Sequence, residues 1–147
     1  MIVTVTLNPS IDRTAPIAGP LRRGQVNRLG SSTEVAAGKG VNISRVLRGA
    51  GIETCAVVPA GAKGRLTLGL NHDDIPHQVV PVAAAVRTNL TITEPDGTTT
   101  KINEPGSDLS SEELTAVEEA IVEKSFGAQW VVLSGSCLLY TSPSPRD

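Results

Sequence analysis

The chain has 147 residues, which is enough for one compact domain. Its 13 basic and 15 acidic side chains give a formal net charge of -2 at pH 7, and this balance, without any block of Lys and Arg, argues against nucleic acid or acidic membranes as main partners. The longest apolar run, residues 79–86, is broken by Pro81 and is much shorter than the ~18 residues that suggest a membrane span. The first residues do not form a secretion signal, so we expect a cytoplasmic protein.

The chain begins with a predicted strand over residues 2–7, which ends at the turn cluster Asn8-Pro9-Ser10. Two short strand-like segments follow at 14–17 and 28–35, on either side of a loop rich in Gly, Pro and Arg. A helix is predicted next, over residues 41–50. Its apolar residues recur with helical spacing and are expected to form the buried face. They are Ile43, Val46, Leu47 and Ala50.

Glycines and polar side chains mark the ends of this helix. Gly38 and Gly40 have no side chains, so a ligand can approach the amide groups at the helix start, where the helix dipole favours anions. Lys39 adds a positive charge between the two glycines, and Asn42 places an amide in the first turn. Gly51 is predicted to end the helix. The pattern indicates a site for a phosphorylated or hydroxyl-rich ligand.

Two other glycine motifs do not fit this stretch. A Walker A loop requires Gly five residues before Gly38, where Thr33 stands, and Ser or Thr after Lys39, where Gly40 stands. A dinucleotide-binding fingerprint requires Gly at position 43, which is Ile43. The remaining alternative is a strand-to-helix turn whose glycines only shape the chain.

From residue 54 onward the chain alternates strands and helices. We predict a strand at 54–58, a helix at 63–72 and an extended segment at 78–82, followed by a hairpin of 87–94 and 98–103 around Pro95-Asp96-Gly97. A helix capped by residues 110–113 is predicted to run to about 124, with Leu114, Val117 and Ile121 on one face. The last predicted element is a buried strand at 130–133. The alternation predicts an α/β domain with a largely parallel sheet. The hairpin and the two early short strands do not fit that alternation.

The two cysteines, Cys55 and Cys137, have neither the spacing of a zinc site nor the number needed for a disulfide framework. We therefore predict no metal site in this chain. Cys55 is expected to pack in its strand as a small apolar residue.

Residues 37–61, with their glycines, Lys39 and Asn42, resemble the first signature of the PfkB carbohydrate kinases, the ribokinase-like family. Within that family the chain is most similar to the kinases that phosphorylate fructose 1-phosphate with ATP. Tagatose-6-phosphate kinases, whose motifs are similar, and a non-catalytic sugar-phosphate binding module remain alternatives. The motifs that carry the closer similarity lie at residues 6–14, 24–28, 87–91, 101–106 and 130–136.

This resemblance implies a fold and a set of partners. Residues 1–136 would be the amino-terminal half of a ribokinase-like kinase domain, in which a mostly parallel sheet is flanked by helices. Strands within about 13–35 and 87–103 would form a small β lid that closes over the substrate. Because such lids often pair two subunits, a homodimer formed through the lid is an expected partner arrangement, beside the small-molecule sugar phosphate.

Polar residues at three places are the candidate ligands of the sugar phosphate. Asp12 follows the first turn, where its carboxylate can accept hydrogen bonds from two neighbouring hydroxyls, and the resemblance implies that it binds the sugar. The resemblance also implies that Arg87 holds the existing phosphate, which suits a guanidinium. Asn89 would add an amide donor and Lys39 a charge. The alternatives are an Asx-turn for Asp12 and an exposed strand position without a ligand for Arg87 and Asn89.

The second signature of the family, a Gly-Ala-Gly-Asp-type turn that supplies the catalytic base, has no counterpart in these residues. The elements that bind ATP and Mg²⁺ in the complete kinases lack counterparts as well. We therefore assign no catalytic or metal-binding residue here. ATP and Mg²⁺ are expected to bind to the rest of the complete parent protein, and these 147 residues alone are expected to be inactive.

The last residues, 137–147, match one reading frame of a transposon-type sequencing adapter, and we expect them to be non-native. The alternative is an ordinary terminus rich in Pro and Ser. Sequencing of genomic DNA across codon 136 tests this. We expect the codons that follow to differ from the adapter and to encode, in frame, a Gly-Ala-Gly-Asp-type turn. Genomic codons that encode residues 137–147 as they stand here would show that the interpretation is wrong.

Overall fold

Two four-stranded sheets and three helices make up residues 1–135, which are the residues that the computed structural model describes. The segment 137–147, predicted to be non-native, lies outside them. The elements in chain order are β1 (Ile2–Val5), β2 (Ser10–Pro16), β3 (Thr33–Ala37), α1 (Lys39–Gly49), β4 (Thr54–Ala60), α2 (Arg65–His72), β5 (His77–Pro81), β6 (Arg87–Thr93), β7 (Thr99–Asn103), α3 (Ser111–Ser125) and β8 (Trp130–Leu133).

The first sheet, which we call sheet A, is entirely parallel and has the strand order β5-β4-β1-β8. Its strand β4 is buried at every residue, because helices pack on both faces of the sheet. Val41, Leu66 and Leu70 belong to the core on one face, and Val3 and Val117 belong to the core on the other. The predicted α/β fold with a parallel sheet flanked by helices is confirmed.

Cys55 lies in β4 and is buried, as expected for a cysteine that packs as a small apolar residue. Burial raises the pKa of its thiol, because the thiolate would have to be desolvated.

Helix α1 turns a different face to the sheet from the one expected. Its buried residues are Gly40, Val41 and Ser44. Of the predicted face, Ile43 and Leu47 are partly buried, whereas Val46 is 71% exposed and Ala50 is also exposed. The reason is that small residues let the helix backbone come close to the sheet, so the contact face contains a glycine and a serine. A pattern based on apolar residues does not detect such a face.

Ser44 takes part in a buried chain of hydroxyl groups between α1 and sheet A. Its Oγ lies 2.8 Å from Thr4 Oγ1 and 2.8 Å from Thr54 Oγ1. Thr54 Oγ1 in turn donates to the carbonyl of Ile2 at 2.9 Å. These three buried hydroxyls are therefore hydrogen-bonded, and they fix the position of the helix along the two central strands, β1 and β4.

The predicted end of α1 is confirmed. Gly51 has φ +73°, its N–H donates to the Arg48 carbonyl, and the Ile52 N–H donates to the Leu47 carbonyl. Together these bonds form a Schellman motif, which favours glycine at the position with positive φ.

The second sheet, sheet B, has the order β3-β2-β6-β7. Strands β6 and β7 form the predicted antiparallel hairpin, with the Gly97 N–H donating to the Glu94 carbonyl in the turn. The early strands have other bounds than expected, since β2 begins at Ser10 and β3 begins only at Thr33. The extent of β2 follows its parallel pairing with β6, and the extent of β3 follows its antiparallel pairing with β2; local composition reveals neither pairing.

Helix α3 begins as predicted, with a capping box between Ser110 and Glu113. On its predicted apolar face, Val117 is fully buried and Ile121 packs against the core, while Leu114 is 37% exposed.

The predicted strand at residues 130–133 is present, but the prediction that it is buried is wrong. Strand β8 lies at the edge of sheet A, where it pairs on one side with β1. Trp130 is 70% exposed and Leu133 is 71% exposed. An apolar sequence predicted the strand correctly, but its burial depends on what packs around it.

None of the helices in residues 1–135 is both long enough and apolar enough to cross a lipid bilayer.

The contact between α1 and β1 predicts opposite effects for two glycine substitutions in the same helix. A Cβ at Gly40 would lie 2.6 Å from Thr6 Oγ1 and 2.7 Å from the Val5 carbonyl oxygen, so Gly40→Ala should lower the free energy of unfolding by ~1–3 kcal/mol. A Cβ at Gly49 would meet nothing within 4 Å, so Gly49→Ala should raise that free energy by up to ~1 kcal/mol. Urea unfolding of both variants measures the difference, and equal stability would contradict this account of the contact.

Candidate functional site

The glycine turn lies directly against the carboxyl end of β1. Gly38 is the N-cap of α1 and has φ +136°, and a Cβ at this position would overlap the Thr6 methyl group. Since Gly38 has no side chain, the buried Thr6 hydroxyl takes over the capping role and accepts the Val41 N–H at 3.1 Å. The amides of Lys39 and Gly40 belong to the first helical turn and have no acceptor within the helix. The start of α1 is therefore fixed at the end of a central strand.

Strand pairing places three of the candidate residues on one face of sheet B. Ser10 of β2 pairs with Arg87 of β6, and Asp12 pairs with Asn89. Residues that pair across neighbouring strands lie on the same face, so the side chains of Asp12, Arg87 and Asn89 share it. The opposite face of β2 contributes Ile11, which is buried in the core.

Asp12 and Asn89 are joined by a hydrogen bond. Asn89 Nδ2 donates to Asp12 Oδ1 at 2.9 Å, and Ser10 Oγ donates to the same oxygen at 2.9 Å. Within residues 1–135, no side-chain hydrogen bond engages Asp12 Oδ2. Asn89 Oδ1 is buried and has no hydrogen-bond partner among those residues. Asp12 and Asn89 thus each keep one acceptor oxygen without a hydrogen bond in the described residues.

Arg87 reaches from β6 to the turn that follows β1. Its Nη2 donates to the Asn8 carbonyl at 3.4 Å, and its Nη1 donates to the Glu104 carbonyl at 3.3 Å. Its Nε is buried and lacks a partner in the described part of the chain. In that part, Arg87 Nε and Asn89 Oδ1 are the two buried side-chain atoms left without a hydrogen bond.

The other candidates lie at the start of α1. Lys39 Nζ donates to the Gly135 carbonyl, and Asn42 Oδ1 accepts from Arg45 Nη1 at 2.7 Å. Strand β3 connects the two groups of candidates, because Ala37 pairs with Ser10 and is followed at once by Gly38. The structure thus joins Asp12 to Asn89 directly and places the glycine turn one residue beyond the neighbouring strand.

Two residues at this site were not predicted. Asn8 donates from Nδ2 to the Pro105 carbonyl at 3.0 Å and so ties the segment after β7 to the end of β1. The pair Asn8-Pro9 signals a turn, but nothing local indicates a partner so far along the chain. Arg45 contacts Asn42, and its spacing of three residues on a helix could have indicated this contact.

Residues 1–135 contain no group of three or more His, Cys, Asp or Glu side chains that could hold a metal ion. We assign no metal ligand in this part of the chain.

Comparisons with known proteins relate the chain to phosphofructokinases. No family model matches it. It is 31% identical to a 1-phosphofructokinase of Vibrio cholerae over 97% of its own length and 45% of that protein.

Among solved structures, phosphofructokinase-2 from Escherichia coli in complex with fructose-6-phosphate superimposes with a TM-score of 0.85 at 25% identity, over 96% of this chain and 47% of that one. A Thermotoga maritima protein described as a possible 1-phosphofructokinase superimposes with a TM-score of 0.78 at 29% identity, over 92% of this chain and 45% of that one.

The chain spans about half the length of the relatives that it matches. Those relatives are sugar kinases. In sequence and in fold, the chain matches the amino-terminal part of a PfkB-type kinase.

The cap that Thr6 provides can be tested by two substitutions. Thr6→Val keeps the shape of the side chain but leaves the Val41 N–H without its acceptor, so we expect a loss of ~1–2 kcal/mol in the free energy of unfolding. Thr6→Ser keeps the hydroxyl and should lose less. Denaturant unfolding of both variants decides, and a Thr6→Ser protein less stable than Thr6→Val would contradict the capping role.

Proposed function

We propose that this chain forms the sugar-phosphate-binding half of a kinase that transfers the γ-phosphate of ATP to the 6-hydroxyl of fructose 1-phosphate, giving fructose 1,6-bisphosphate. The observation that carries the proposal is the pair of buried, unpartnered polar atoms, Arg87 Nε and Asn89 Oδ1, on the face of sheet B that also holds Asp12. Similarity to the Vibrio cholerae 1-phosphofructokinase supports the choice of substrate.

Asp12 and Asn89 are suited to bind the sugar. Asn89 Oδ1 and Asp12 Oδ2 are acceptors, whereas sugar hydroxyls are donors. A buried acceptor without a partner costs ~1–3 kcal/mol of stability, and a hydrogen bond from a hydroxyl of the bound sugar would remove this cost. The Asn89 amide and the Ser10 hydroxyl hold Asp12 through its other oxygen, so the carboxylate is already oriented before the sugar binds.

Arg87 is suited to bind the phosphate that the substrate already has. Its Nε–H lacks an acceptor, and its other contacts, at 3.3 and 3.4 Å, are long hydrogen bonds to carbonyl groups. A phosphate could replace these contacts with charge-assisted hydrogen bonds from two adjacent N–H groups. Lys39 and the first amides of α1 would add positive potential at the same end of the fold.

Phosphoryl transfer needs a fixed acceptor hydroxyl, neutralisation of phosphate charge, and a base for the hydroxyl proton. In this proposal the chain supplies the first of these, because its contacts hold the sugar by its hydroxyls and its phosphate. We assign no base among residues 1–135. ATP and Mg²⁺ would be bound by the rest of the complete protein, where they would supply the phosphoryl group and balance its charge.

Sheet B would act as the lid over the sugar, since it bears Asp12, Arg87 and Asn89 on one face. A homodimer formed through this sheet, and a cytoplasmic location, are further parts of the proposal. The alternatives are a tagatose-6-phosphate kinase and a sugar-phosphate binding module without catalytic activity.

Kinetic measurements on the complete protein test these roles. Asp12→Asn should lower kcat/KM for fructose 1-phosphate by about 100-fold, because a charged acceptor of sugar hydroxyls is lost, and should leave the KM for ATP unchanged. Arg13→Ala is the matched control. Arg13 lies on the opposite face of the same strand, where it donates to Ser32 Oγ, so its removal should change kcat/KM less than twofold.

Several outcomes would contradict the proposal. Preference of the wild-type protein for tagatose 6-phosphate or fructose 6-phosphate would replace the proposed substrate. Binding of fructose 1-phosphate by the complete protein without any ATP-dependent turnover would favour the binding module. The 147-residue chain alone is expected to transfer no phosphate, and turnover by that chain would show that it contains a catalytic base after all.

A further inference from the structure

Arg45 lies one helical turn after Asn42 on α1 and joins three separate parts of the fold. Its Nη1 donates to Asn42 Oδ1 at 2.7 Å. Its Nη2 donates to the Ala36 carbonyl at 2.5 Å and to Asp73 Oδ2 at 3.0 Å. The guanidinium therefore links the helix start to the end of β3 and to the residue that ends α2.

The contact with Arg45 fixes the direction of the Asn42 amide. A guanidinium has N–H donors and no acceptor, so the atom of Asn42 that faces it must be the oxygen. The NH₂ group of Asn42 is then turned away from Arg45, and it makes no hydrogen bond within residues 1–135. Asn42 thus presents a donor at the glycine turn.

Arg45 is itself held from the far side. The pKa of Asp73 is lowered by its hydrogen bond with His72 and, to a smaller extent, by Arg45. The carboxylate stays charged to a lower pH than usual and keeps its bond to the guanidinium. Because both partners are partly exposed, this ion pair adds little to stability. Its effect is on geometry, since the planar fork of Arg45 is fixed by acceptors on two sides.

We propose that Arg45 is a positioning residue for substrate binding, which orients the Asn42 amide so that its NH₂ group donates to the sugar phosphate. The proposal rests on the proposed function, because the ligand that receives this hydrogen bond is the substrate of that reaction. Arg45 itself would not touch the substrate.

Arg48 provides a matched control in the same helix. Its guanidinium pairs with the Asp74 carboxylate and donates from Nε to the Asp74 carbonyl at 3.1 Å. Arg48 therefore ties α1 to the same turn after α2 but does not contact Asn42. If Arg45 acts only by tethering α1 to this turn, removal of the Arg48 side chain should weaken substrate binding as much as removal of the Arg45 side chain does.

Steady-state kinetics of the complete protein test the inference. Arg45→Ala should raise the KM for fructose 1-phosphate about tenfold, which corresponds to one hydrogen bond, and should leave kcat and the KM for ATP within twofold. Asn42→Ala should do the same, and the double variant should be no worse than either single one. Arg45→Lys, which keeps the charge but lacks the fork, should restore the KM in part. Arg48→Ala should leave kcat and both KM values within twofold of those of the wild-type protein.

Additive effects of Arg45→Ala and Asn42→Ala, or an equal rise in KM on Arg48→Ala, would overturn the inference. A second measurement separates it from the proposed function. In NMR spectra of the 147-residue chain, Arg45→Ala should shift the side-chain NH₂ signals of Asn42, whereas Arg48→Ala should not. Unshifted signals would overturn the role of Arg45 even if the kinase is active. Absence of turnover with shifted signals would overturn only the proposed function.

Discussion

The close approach of the first turn of α1 to the end of β1 is the constraint on which the rest of the arrangement depends. Gly40 lies so near to Val5 and Thr6 that no side chain fits, and the Thr6 hydroxyl caps the helix. The connections from this point are short. Residues 6–9 lead from β1 into β2, and Gly38 alone separates β3 from α1. Both sheets and the helix are therefore placed relative to one another by a few residues around one contact.

Buried polar groups differ in their hydrogen bonding on the two sides of this contact. Between α1 and sheet A, the buried hydroxyls of Thr4, Ser44 and Thr54 are paired with one another. On the exposed face of sheet B, Arg87 and Asn89 each keep a buried polar atom without a partner. Pairing stabilises the first set, whereas the second set costs free energy in the isolated chain. Unpaired buried polar groups of this kind, which lower stability, are expected at a ligand-binding site.

Elements with a local signal could be predicted from the sequence, and those that depend on distant partners could not. The capping box of Ser110 and Glu113 and the turn at Gly51 depend on neighbours within a few residues. The buried face of α1 differs from the prediction because Gly40 and Ser44 lie against the sheet beside Val41, and a pattern of apolar residues does not include them. Asp12 and Asn89 could be chosen as candidates by resemblance, but their direct hydrogen bond follows from a strand pairing that no local pattern encodes. That they bind a sugar remains a prediction.

The parallel pairing of β2 with β6 also has a consequence for the order in which the chain folds. Ser10 pairs with Arg87 and Asp12 with Asn89, so this pairing closes a loop of some 77 residues. Long-range pairing of this kind is expected to form slowly compared with the contacts of α1 with β3 and β4, which are its neighbours along the chain. We therefore expect the polar face of sheet B to be assembled after the contacts around α1.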